Sequence, residues 1–342
     1  MEPEKDTVQY KERNKITISD VAQALGISKT TVSRAISGKG RIGEQTRQRV
    51  LDYIKENHYQ PSVVAKGLAQ SKTYNVGWVI PGDMLVTDLP FFQRCLMGVS
   101  EVAAQADYDI IIAMVFENDI SQLERIVKNH KVDGIILGRT LVNDKPAKFL
   151  EENDVPFVVV GSSKDNQVIQ VDNDHIAACK ELTSILVMKG VRKFALIGGN
   201  SNHVVNQTRY EGFVKGLEDN KVPFSRDDVY LDAEDAVTIE RAVDEILRNG
   251  VDCVVCMDDY ICHTVLNKLC REGVKVPEQI KVASFYNSAM LEESNPPITT
   301  LQYDPKKLGS VACQTLFDYI DGKEIHKKSL LSYEVVLKSS TQ

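Results

Sequence analysis

Long apolar runs are missing from this chain of 342 residues. No stretch approaches the length of a bilayer span, and the first 25 residues mix Glu2, Glu4, Lys5, Asp6, Lys11, Glu12 and Arg13 with no apolar signal core. The expectation is a soluble, cytoplasmic protein with no membrane partner. The cysteines number 7, an odd count scattered through apolar segments, which predicts reduced core thiols and no disulfide framework. Cys253 and Cys256 form a C-x-x-C, but inside the apolar run "DCVVCMDD" they sit on a strand, point to opposite faces and cannot share a metal. Catalytic constellations are missing as well. No G-x-G-x-x-G follows a strand, "LIGGNSN" offers only two adjacent glycines, and there is no P-loop and no G-x-S-x-G elbow. The histidines at 58, 130, 175, 203, 263 and 326 make no pair at metal-ligand spacing. These absences argue against an enzyme and predict no cofactor.

What is present is divided unevenly. Residues 1–73 hold 13 Lys and Arg against 8 Asp and Glu, a net +5, so the remainder carries -12 of a total of -7. A basic head on an acidic body remains compatible with a polyanionic partner, because the local field steers the encounter. The length exceeds what one core organises and predicts two or three domains.

The head has helical spacing. "TISDVAQALG" (17–26) begins on a cap, Thr17 or Ser19, and sets Ile18, Val21, Ala22 and Leu25 on one face before Gly26. Ser28 caps a second helix that buries Val32, Ala35 and Ile36 and turns Lys29, Thr30, Ser33 and Arg34 outward. A third helix over 43–59 supplies Val50, Leu51, Ile54 and Tyr59 to the core. This is a helix-turn-helix pattern, whose second helix docks in the major groove, where Lys or Arg donates to guanine. From Asn75 onward, buried strands ("NVGWVI", "YDIIIAMV", "VDGIILG", "PFVVVG", "KFALIGG", "VDCVVCMDD", "KVASFY") alternate with amphipathic helices, which predicts a doubly wound α/β body in two halves.

The run "TISDVAQALGISKTTVSRAISGKGRIGEQTRQRVLDYIKENHYQPSVVAKGLA" resembles the LacI/GalR family of transcriptional regulators, and the likeness continues to the C-terminus. The resemblance implies a homodimer on a pseudo-palindromic double-stranded DNA operator. Lys29, Thr30 and Arg34 would read bases, Thr31 and Ser33 would meet phosphates or pack, and Thr46 and Arg47 would contact phosphate. It also implies a hinge helix over 61–69, with Ala65 and Leu68 at the DNA and Leu68 wedged into a minor-groove step. Nine residues containing Gly67 are too short for a persistent isolated helix, so the segment by itself, apart from the resemblance, reads as a flexible linker.

For the body the resemblance implies a two-lobed, periplasmic-binding-protein-like core of doubly wound parallel sheets, crossed three times by the chain, with a ligand cleft between the lobes. The expected division is a disordered tail (1–14), a DNA-binding domain (15–60), a hinge and linker (61–73) and a core (74–342). Within the core, one lobe takes 74–173 and 303–321, the other 174–302 and 322–342. Cleft residues carried over by position are Phe91 and Phe92 from "DLPFF", His203, Val205 and Arg209 from the loop and "NQTRYEGF", and Asp258 from "CMDDY". Phe92 equally fits helix-core packing. The sharpest departure is "SFYNSAM", where Tyr286 replaces an aspartate that commonly accepts hydrogen bonds from a sugar or purine. The effector is therefore left open among a sugar, a sugar phosphate and a nucleoside-like molecule. The alternative is a DNA-binding regulator whose core takes a partner protein or no ligand.

Overall fold

Thr17 opens the first helix because both halves of a capping box are present. Its hydroxyl accepts from Asp20 N at 3.4 Å, and the Asp20 carboxylate accepts from Thr17 N at 2.7 Å. The computed structural model describes residues 16–38, 40–59, 67, 70–83 and 89–342. The chain divides after Thr73 into two compact units.

In the first unit, α1 (Ile18–Leu25) stops at Gly26, whose φ of 65° suits a residue without Cβ. Ser28 then caps α2 (Lys29–Ser37) by accepting from Thr31 N at 3.1 Å, and α3 (Glu44–Glu56) closes the bundle. Val21, Val32, Ala35 and Val50 are fully buried between them. Two expectations fail here. Leu51 is 37% exposed, because Val50 takes the inward position and a helix turns the next residue about 100° away from it. The third helix ends at Glu56, short of Tyr59, which reaches the core from the following turn with its N–H donated to Ile54 O at 3.0 Å.

The second unit begins with five parallel strands, β1 (Asn75–Pro81), β2 (Asp109–Val115), β3 (Gly134–Leu137), β4 (Phe157–Val160) and β5 (Gln170–Asn173). Between them run α4 (Leu89–Gln105), α5 (Ser121–Lys128) and α6 (Lys145–Glu152). The chain then crosses to a second lobe. Its strands are β6 (Phe194–Ile197), β7 (Val229–Tyr230), β8 (Cys253–Cys256), β9 (Lys281–Ser284) and β10 (Thr299–Gln302). Its helices are α7 (His175–Met188), α8 (Val204–Asp219), α9 (Ala236–Asn249), α10 (Asp259–Arg271) and α11 (Ala289–Glu292). A second crossing returns it to the first lobe for α12 (Pro305–Ile320) and β11 (Lys328–Leu331), and a third ends it as β12 (Glu334–Val336). The sheet orders are β11-β5-β4-β3-β1-β2 and β12-β10-β9-β8-β6-β7.

The expected third crossing near residue 322 is corrected by this order. Lys328–Leu331 pairs in parallel with Gln170–Asn173, so residues 322–331 stay with the first lobe, and the chain crosses at Ser332 and Tyr333. The turn after α12 reads as a boundary in the sequence, but the short strand beyond it still needs the edge of the first sheet.

Both faces of each sheet are covered, which is why the strands are apolar on both sides. In the second lobe Cys253 faces the core under α7 and α8, while Cys256 faces the core under α9 and α10. The opposite-face expectation for the C-x-x-C holds. Six cysteines are buried, and Cys270 is the exposed exception. In the first lobe α4 and α12 share one face at backbone contact. A Cβ on Gly98 would lie 1.9 Å from Lys306 O, and one on Gly309 would lie 2.0 Å from Cys95 O. Among the described residues, no helix is long and apolar enough to cross a membrane.

Candidate functional sites

The first candidate site is the outer face of α2. Lys29, Thr30, Ser33 and Arg34 are all exposed, and the first turn carries no acidic residue. A helix N-terminus with free donors and a lysine favours an anion there. Arg34 keeps its head exposed while its stem lies close to Gly40, where a Cβ would come within 3.3 Å of Arg34 Cδ. Thr31 is half-buried, with its hydroxyl 2.9 Å from Ser28 Oγ at the cap. Thr46 and Arg47 are also half-buried near the start of α3. A Cβ on Gly38 would lie 3.3 Å from Arg47 Nη2, which puts that guanidinium beside the negative end of α2. Arg47 is therefore placed to support α2 as well as to meet a phosphate. Ala65 and Leu68 lie outside the described residues.

The second site is a cleft within the second unit, where the carboxyl ends of both sets of parallel strands converge. It is open to solvent, with about 1050 Å³ of empty space counting the solvent at its mouth, and is lined by all seven residues expected there: Phe91, Phe92, His203, Val205, Arg209, Asp258 and Tyr286. Phe92 does both jobs proposed for it, lining the cleft while packing in the core of the first lobe.

Arg209 is 7% exposed and donates from Nη1 to Met257 O at 2.7 Å. Its Nε is buried without a partner, as is the Oδ1 of Asn173 in the same cleft. A buried donor and a buried acceptor left unpaired cost about 1–3 kcal/mol each, so a ligand offering both an acceptor and a donor, as a hydroxyl does, recovers that energy. The apolar walls are aromatic. The Tyr286 ring meets Phe91 of the first lobe edge-on at 6.3 Å, lies near-parallel to Tyr303 at 6.4 Å, and has the Arg209 guanidinium 5.8 Å from its centroid. Burial, aided by Asp259, pushes the Tyr286 phenol well above its usual range, so it remains a proton donor.

Two groups at the site have their charge shaped by their neighbours. Asp258 caps α10, its Oδ1 accepting from Ile261 N at 2.8 Å, so one carboxylate oxygen is already engaged. Burial, together with Arg139, lowers the His203 pKa to about 4, so it is neutral near pH 7 and supplies no charge to an anionic ligand. A depressed histidine contributes stability that is complete above pH 6.5 and is lost as the pH falls from there toward 4. His203→Gln is expected to flatten the stability profile across that window by on the order of 2 kcal/mol, measured by urea unfolding at several pH values. An unchanged slope would place the histidine in water.

The sequence reading missed Arg139, Thr140, Asp172, Asn173, His175, Asn206, Asp259 and Tyr303, which also line the cleft. Arg139 pairs with Asp83 at 2.8 Å and approaches His203 Nε2 at 3.4 Å. Val142 N donates to Asn202 O at 2.9 Å, and Val204 N donates to Thr140 O at 3.3 Å, so the loops after β3 and β6 clasp the two lobes at the rim. Asp172, Asn173 and Tyr303 sit beside the expected crossings at 173 and 302, and that position was the available signal for them.

Comparison with known proteins agrees with this architecture. Residues 17–62 match the model "Bacterial regulatory proteins, lacI family", and residues 183–341 match a periplasmic binding protein-like domain. The chain is 29% identical over 332 residues to the HTH-type transcriptional regulator pepR1 of Lactobacillus delbrueckii subsp. lactis, covering 95% of this chain and 98% of that protein. It is 27% identical over 332 residues to catabolite control protein A of Staphylococcus aureus, covering 96% and 99%. Among solved structures, a CelR–cellobiose complex aligns at 25% identity with a TM-score of 0.71, covering 95% of this chain and 100% of that one. The lac repressor dimer bound to operator and the anti-inducer ONPF shares the fold at 21% identity, with a TM-score of 0.79 and coverage of 96% and 99%.

Proposed function

Because the chain belongs to the lacI family of bacterial regulatory proteins, we propose that this DNA-binding transcriptional regulator grips a pseudo-palindromic operator as a homodimer. A small molecule between the lobes shifts its affinity for that operator. It acts on DNA in the cytoplasm, as a repressor, with no catalytic step. The observation that carries the DNA half is the capped α2, which presents Lys29, Thr30, Ser33 and Arg34 together on one exposed face. One such helix contacts too few bases for operator affinity, and two related by a dyad read two half-sites.

The effector half is carried by the unpaired Arg209 Nε and Asn173 Oδ1 in an aromatic-walled cleft. Among the ligand classes left open by the sequence, the charges favour a neutral polyhydroxylated or nucleoside-like molecule over a sugar phosphate. Arg139 is matched by Asp83, His203 is neutral, and Asp172, Asp258 and Asp259 line the same space. A similar regulator, CelR, was solved with cellobiose. The second reading, a core that takes a partner protein or no ligand, draws on Tyr286, whose ring occupies part of the cleft.

A thermal-shift panel of sugars, sugar phosphates and nucleosides tests the choice. A true effector at 100 times its dissociation constant stabilises the protein by about 2.7 kcal/mol. Arg209→Ala is expected to abolish that shift while leaving operator binding without effector unchanged if the effector induces. If the effector corepresses, the same substitution prevents tight DNA binding. No shift from any compound would favour the second reading.

A further inference from the structure

Three crossings join the lobes, and side chains on two of them form a buried chain of hydrogen-bonding groups. Asp172, at the end of β5, is 4% exposed, and His175, in the first turn of α7, is 5% exposed. Ser162 Oγ donates to Asp172 Oδ2 at 2.8 Å, and Asn173 N donates to Asp172 Oδ1 at 2.8 Å. His175 Nε2 lies 3.4 Å from Asp172 Oδ1, and its Nδ1 lies 3.1 Å from the hydroxyl of Tyr303 on the second crossing. With the Nε2 proton facing the carboxylate, Nδ1 is the acceptor and the phenol is the donor. The His175 and Tyr303 rings also meet edge-on at 4.8 Å. The third crossing is tied in by backbone and side chain, Asp174 N donating to Leu331 O at 3.1 Å and Tyr333 donating to Glu181 Oε2 at 2.7 Å.

Burying a carboxylate, an imidazole and a phenol together is costly unless each is satisfied, and apolar side chains of similar size would fill the same space. What the polar set adds is direction. It fixes the first crossing against the second and fixes the plane of Tyr303, which lies near-parallel to the Tyr286 ring in the cleft. We infer that Asp172, His175 and Tyr303 form a hinge lock, in which His175 is a positioning residue that sets how tightly the lobes close over the cleft. The rim clasp is the distant readout, because Val142 and Val204 donate across the lobes and lose those bonds whenever the hinge opens.

Amide hydrogen exchange on the full-length protein, with no compound added, tests this lock independently of whether the cleft takes an effector. Tyr303→Phe removes a single oxygen and keeps the ring, and His175→Phe keeps a ring but no nitrogen. Both are expected to speed exchange at Val142 and Val204 at least tenfold, while Ile136 and Val255, on central strands of the two sheets, exchange as in the wild type. The double variant is expected to go no further than the larger single effect, because both substitutions break one connection. Unchanged exchange at Val142 and Val204 in Tyr303→Phe overturns the inference. So does acceleration spread equally over Ile136 and Val255, which would mark the network as ordinary core support.

Discussion

Arg34→Ala is expected to relax base preference at one symmetric position in each half-site and to cost about 1–3 kcal/mol per half-site. In the proposed dimer the contact is made twice, so operator affinity is expected to fall by about 2–6 kcal/mol in total, whereas binding to unrelated DNA changes little. The reason lies in how α2 is built. Ser28 fixes its first turn, Val32 and Ala35 are fully buried, and Arg34 lies between those two with its head exposed. Arg47→Ala is the informative contrast. Its guanidinium lies beside the end of α2, so its loss weakens binding to all sequences alike and also lowers the stability of the first unit by about 1 kcal/mol. Sequencing the DNA retained by each variant from a random library separates the two. Intact preference in Arg34→Ala would mean that a different face of α2 enters the groove.

The second large effect concerns packing. Gly309→Ala places a Cβ where Cys95 O already lies, at 2.0 Å, and neither atom belongs to a flexible side chain that can swing away. Relief requires α12 and α4 to separate by more than an ångström, which opens the core built from Cys95, Val99, Leu308, Ala312 and Leu316. Overpacking a soft site costs about 1–3 kcal/mol, and backbone-on-backbone contact puts the loss at about 3 kcal/mol or more. The urea midpoint of the core is expected to fall accordingly. The effector cleft is expected to be lost with it, because Phe91 and Phe92 stand at the start of α4. An unchanged midpoint would show that the two helices do not meet this closely.

The architecture was legible because its signals are local and periodic. Apolar runs such as "GIIL" and "CVVC" are buried on both faces, as parallel strands between helices require. The caps Thr17 and Ser28 and the stop at Gly26 mark the helix-turn-helix within a few residues. Legibility failed where a long-range partner decides. Lys328–Leu331 carries no strand pattern strong enough to announce that it pairs with a segment some 160 residues earlier. Leu51 has the hydrophobicity of a core residue, and only the angle of α3 excludes it. The cleft was half visible. Positions carried over from the family resemblance line the cleft, whereas Arg139 was hidden because its role depends on Asp83 and His203 arriving from elsewhere. The neutral state of His203 was not legible, because burial, which sets it, is not written in the sequence around it.

Selecting binding sites for the full-length wild-type protein from random double-stranded DNA decides whether it reads DNA with dyad symmetry. Enrichment of a pseudo-palindrome is expected, its half-sites contacted by Lys29, Thr30 and Arg34 from two copies of α2. Enrichment of a single, non-repeated half-site, or of no sequence at all, would contradict it.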